Sequence, residues 1–190
     1  MSVLILGLVL FLGIHSTRIV APGFRQQLID QRGEKFWKLT YTVVSLVGLV
    51  LIIWGYGLAR QDPVIVYDPP VGMRHLTLLL MLPVFPLFAA SHNPGFIKAK
   101  LQHPMLIGTL LWGVAHLLAN GTLADVLLFG GILVWAAIDL ISNVYRGPVR
   151  LGREPVLRKD ISSIVAGVVI YLIFVFWLHE LLFGVSPLGA

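Results

Sequence analysis

Apolar positions along this chain gather in long blocks, without the short polar periods of a soluble domain. Six blocks, at 2–19, 39–59, 73–91, 104–119, 123–141 and 161–183, are each about as long as a helix needs to cross roughly 30 Å of hydrocarbon. Pro63, Pro69 and Pro70 punctuate the chain after the second block, and Pro148 and Pro155 after the fifth. Pro83 and Pro86 fall inside the third, where each removes a backbone donor and should kink the helix. The pattern predicts an all-α, polytopic transmembrane bundle of six helices in a single domain spanning 1–190. The first block has no basic flank and no small-residue cleavage site, so it is expected to be a retained helix and not a signal peptide. Segment 21–36 is too polar to span. Its Phe24, Leu28, Ile29 and Phe36, interleaved with Arg25, Arg32 and Lys35, suit either a short helix on the leaflet surface or a solvated loop.

Composition agrees with this solvent. Of 190 residues 57% are hydrophobic and 12% charged, against about 25% charged in average soluble domains. That excludes a soluble enzyme and a disordered chain. The absence of cysteine excludes disulfides, iron–sulfur clusters, thiolate zinc sites and thioether-linked haem. A net charge of +5 would suggest nucleic acid in a soluble chain, but here its distribution matters more. All basic residues except Arg60 and Arg74 lie in alternate connections: Arg18 to Lys38, Lys98 with Lys100, and Arg146 to Lys159. The positive-inside rule then makes those three loops cytoplasmic and puts both termini on the outer side of a bacterial inner membrane. The expected partners are the lipid bilayer and an apolar small-molecule substrate, with no nucleic acid.

Polar groups inside the blocks carry the candidate chemistry, because each is costly in hydrocarbon. Four stand out: His15, His103, His116 and Asp139. On the fourth helix Met105, Thr109, Trp112, Gly113, His116 and Asn120 share one stripe, which suits either a ligand site or a helix–helix seam. Pairing of the fourth and fifth helices about a turn at 120–122 would bring Asp139 to the depth of His103, as a tautomer-fixing pair or a structural one. Asp125 would lie at the opposite end, hydrated. The first helix runs inward and the fourth outward, so the leaning side chains of His15 and His116 converge in depth. That suits two axial ligands of a haem iron, with His179 as the alternative partner. His75 and His92 lie near helix ends and need no function, and Trp37, Trp54, Tyr56 and Tyr67 are expected as interfacial anchors. No Walker A loop, Rossmann glycine fingerprint or H-E-x-x-H motif occurs.

The run His103-Pro104-Met105-Leu106-Ile107-Gly108, with Trp112, His116 and Asn120-Gly121 after it, resembles the signature of the NnrU family of bacterial integral membrane proteins. Gly13-Ile14-His15, Trp54-Gly55-Tyr56-Gly57 and Leu182-Phe183-Gly184-Val185-Ser186-Pro187 resemble the same family, so the similarity covers essentially the whole chain. The family name implies an association with nitrogen-oxide metabolism in denitrifiers. Its relative, the plant and cyanobacterial 15-cis-zeta-carotene isomerase, is a b-haem membrane enzyme with histidine iron ligands. The resemblance therefore implies haem b, with His15 and His116 as metal ligands and Trp112 and Asn120 as further cofactor-binding residues. It makes His103 a supporting residue, and the pair of His103 with Asp139, placed by the helix pairing, supplies the candidate catalytic residues. The implied function is a haem-dependent redox cis-trans isomerase of an apolar substrate, or an accessory factor in denitrification. A second similarity, of His103-Pro104 and Gly108 to S-adenosylmethionine-dependent isoprenylcysteine methyltransferases, replaces their arginine with Gln102 and their tyrosine with Leu106. It keeps a methyltransferase-like enzyme as the alternative, beside a non-catalytic assembly or transport component.

Overall fold

A computed structural model describes residues 1–189. Among them regular structure is helical, apart from one isolated antiparallel bridge between Ile65 and Thr122. The helices are α1 (Ser2–Val20), α2 (Pro22–Arg32), α3 (Glu34–Ala59), α4 (Met73–Met81), α5 (Val84–His92), α6 (Phe96–Leu101), α7 (Pro104–Ala119), α8 (Leu123–Tyr145) and α9 (Leu157–Phe183). Five stretches are long and apolar enough to cross a membrane: α1, α3, α4 with α5, α8 and α9. The sixth expected block, α7, is an apolar helix of 16 residues, short of the length of the others. The protein is a multi-pass helical membrane protein.

Local chemistry sets the boundaries. Pro22 stands in the first turn of α2, where its missing N–H costs nothing. Gly33, at φ +85°, ends α2 and starts α3. Segment 21–36 is therefore helical for most of its length, and α3 begins five residues before the expected 39. The third block divides at Leu82–Pro83, as its prolines predict. Two helices contain a π turn, Val126–Gly130 in α8 and Phe174–Leu178 in α9. Each accommodates an extra residue and shifts the helix face that follows.

Contacts divide the chain into two compact units, each discontinuous in sequence. The first combines Met1–Tyr67 with Gly121–Trp135. Its centre is the pairing of α1 with α3, so close that a methyl on Gly55 would collide with the backbone of Leu4. The turn after α7 closes on the loop before α4: Val66 and Tyr67 both donate their N–H to the Gly121 carbonyl (2.8 and 3.1 Å). The second unit combines Asp68–Asn120 with the chain from Ala136 on. There α7 packs on α4 and α5, and α9 packs on α5. Gly167 lies so close to Pro86 that no side chain fits between them.

Candidate functional site

The second unit encloses a cavity of about 190 Å³. Thr77, Leu78 and Met81 of α4, His116, Ala119 and Asn120 of α7 and its cap, and Tyr171, Phe174, Val175 and His179 of α9 line it. Arg74 supplies the one cation among the lining residues, and Val185–Pro187 close a wall. Several polar groups at this wall are already engaged. The Thr77 hydroxyl donates to Ala115 O (2.9 Å) and the Tyr171 hydroxyl to Leu78 O (2.9 Å). The π turn Phe174–Leu178 immediately precedes His179 and sets the face on which it emerges.

His116 is held in a defined state. Its Nδ1 lies 2.8 Å from the Trp112 carbonyl, one turn earlier. A carbonyl only accepts, so Nδ1 carries the proton and Nε2 is the lone-pair nitrogen. The same logic applies to His179, whose Nδ1 lies 2.7 Å from Val185 O, and to His15, whose Nδ1 lies 2.6 Å from Phe11 O. Trp112 also packs on the His116 ring in a tilted arrangement, at 4.9 Å between centroids. Asn120 ends α7 and donates its side-chain amide to His116 O (2.9 Å). The expected stripe of Trp112, His116 and Asn120 is thus one connected group, and His179 joins it at the cavity.

His103 and Asp139 belong to the same unit but make no such group. His103 is the N-cap of α7, about 20 Å from His116 along the helix at 1.5 Å per residue. Asp139 Oδ1 accepts from Asn143 Nδ2 (3.0 Å) and pairs with Arg146 Nη2 (3.4 Å), so this oxygen is engaged at the C-terminal end of α8. The two residues sense each other only through charge: burial lowers the His103 imidazole from its ordinary value, Asp139 raises it, and Arg146 lowers it. The neighbouring Gln102, at φ +62°, uses both ends of its amide, donating to Ala99 O and accepting from Val149 N (both 2.6 Å).

His15 stands in the first unit. It packs against the rings of Phe11, Tyr41 and Trp135, at 4.2, 5.0 and 5.8 Å. It also lines a groove of about 400 Å³ with Arg18, Arg25, Trp37, Lys38 and Tyr41.

Other polar and aromatic residues take roles that their place in the sequence does not reveal. Asp125 is 4% exposed, not hydrated. It caps α8 reciprocally with Thr122 and accepts the Tyr56 hydroxyl at 2.5 Å, so Tyr56 is more than an interfacial anchor. Burial, and then the Asp125 carboxylate, push the Tyr67 hydroxyl up. Trp37, expected at the interface, is buried beneath Arg25. Asp160 is 5% exposed and its two oxygens accept the N–H groups of Phe96 and Ile97 (2.8 and 3.0 Å). A T-x-x-D signature before an apolar run marks the first of these caps in the sequence. No local pattern marks the second, because its partners lie more than sixty residues away.

The family model described as NnrU protein matches residues 3–187, nearly the whole chain. No curated protein and no solved structure matches it.

Proposed function

The chain belongs to the NnrU family, and from that premise we propose that it is an inner-membrane protein that binds haem b at the cavity of its second unit. In this reading it acts as a redox isomerase of an apolar substrate, with the three basic connections cytoplasmic and both termini outside. The observation that carries the proposal is the tautomer of His116: Nδ1–H on the Trp112 carbonyl makes Nε2 the ligating nitrogen. His179 reaches the same cavity in the same tautomer and is the second candidate ligand, ahead of His15, which lines a different recess.

The donor chemistry fits the group. Among the described residues no three His, Cys, Asp or Glu gather to hold a bare metal ion, whereas haem asks of the protein only axial ligands. The volume fits less closely. About 190 Å³ is below the ~300–1,000 Å³ of sites that enclose a drug-sized ligand, so loading requires the cavity to widen. The wall at Val185–Pro187 lies beyond the end of α9, is held there by the His179–Val185 bond, and is the part to give.

When bound, haem supplies one-electron chemistry that weakens a double bond in a conjugated substrate. The Trp112 carbonyl fixes the His116 ring and raises its basicity. Leu78, Met81 and Phe174 keep water from the site, and Arg74 suits a carboxylate of the bound group. The test is the visible spectrum of protein purified after expression with haem supplied. A Soret band that His116→Ala abolishes or shifts is the expected result. Absence of any band in the unaltered protein rejects the proposal, and saturable S-adenosylmethionine binding without a band favours the methyltransferase alternative.

A further inference from the structure

We propose that the groove of the first unit is a binding site for the phosphate of an anionic phospholipid. Three cations line it, Arg18 from the end of α1, Arg25 from α2 and Lys38 from the first turns of α3, and no carboxylate does. Among the described residues neither Arg18 nor Arg25 has an ion-pair partner, while Lys38 pairs with Glu34 at 3.0 Å outside the groove. The guanidinium of Arg25 lies 5.7 Å from the centre of the buried Trp37 ring, which restricts it to the groove wall. Thr42 and Tyr41 line the same groove. Two guanidinium groups, with hydroxyl-bearing side chains and the Lys38 stem along one groove, supply the donor types of a phosphate site.

Position selects a lipid as the source of that phosphate. The 19 residues of α1 rise about 28 Å, close to the thickness of the hydrocarbon layer, and Arg18 stands in its last turn. The groove therefore opens at headgroup level. On the helices that form it Val20, Phe24, Leu39 and Val43 are exposed, at 77, 57, 63 and 50%. Fixed positive charge bordered by exposed apolar surface suits a molecule with an anionic head and acyl chains, not a free anion. The inference does not depend on the haem reading, since it concerns other residues and is tested without a cofactor.

The experiment uses the full chain in a neutral detergent and follows the thermal unfolding midpoint. Phosphatidylglycerol is expected to raise the midpoint by on the order of 5 °C at saturation, and phosphatidylcholine to leave it in place. Arg18→Gln, and separately Arg18→Gln with Arg25→Gln, should abolish most of that shift. Arg150→Gln with Arg153→Gln, in the loop after α8, should retain it. The starting midpoints in phosphatidylcholine show whether each variant folds. An equal loss of the shift in both sets would mean unspecific attraction and overturn the site. Stabilisation by millimolar inorganic phosphate but not by phosphatidylglycerol would overturn the lipid assignment, and no shift with either would overturn both.

Discussion

His103 offers a pH signature with a definite sign. Burial lowers its imidazole from 6.5, an effect larger than the opposing pull of Asp139. Above about 6.5 the folded and unfolded chains are both neutral at this position. As pH falls below that value the unfolded chain takes up its proton first, so stability is lost until the folded group titrates too. The unfolding midpoint should therefore drop more steeply between pH 7 and 5 in the unaltered protein than in His103→Gln. A second residue prediction concerns Asp160. Alanine there strands the Phe96 and Ile97 N–H groups and should cost about 2–3 kcal/mol in a denaturant melt. Ser162, exposed two residues further on, is a suitable control site for alanine. The contrast between these residues and His116 shows what a sequence makes visible. A histidine in the middle of an apolar run is conspicuous whatever surrounds it. Asp160 sits at the edge of a block, where acids are ordinary, and its role exists only because α6 is brought to it.

At the scale of helices, the blocks were readable because crossing hydrocarbon imposes a length and an apolar composition that no partner needs to supply. The π turns were not, since a one-residue insertion leaves no trace in composition or period. Their consequence is testable in α9. Deleting Trp177, which is exposed, removes the residue that the π turn accommodates and restores α geometry with His179 on the same face. The deletion should therefore retain the Soret band of the unaltered protein, whereas His179→Ala should shift it. The α1–α3 contact gives a second element-scale prediction. Gly55→Ala should destabilise by about 1–3 kcal/mol through overpacking against Leu4, whereas Gly57→Ala meets open space and should be close to neutral. Alanine at both positions raises helix propensity equally, so the difference in unfolding midpoint isolates the collision.

For the molecule as a whole, charge placement is the most direct signal in the chain, and it predicts that reporters fused at both ends will be active on the outer side only. A reporter in the Arg146–Lys159 connection should be active only in the cytoplasm. The division into two units was not readable at all, because the blocks follow one another evenly while the contacts do not. Segment Gly121–Trp135 joins the unit built by the first 67 residues. It brings the carboxylate that accepts the Tyr56 hydroxyl, the carbonyl that accepts from Val66 and Tyr67, and the ring against His15. During synthesis all of 68–120 emerges first. The early helices must then wait in the bilayer with these polar groups unmatched, so the partly made chain is more exposed to mispairing than the finished protein.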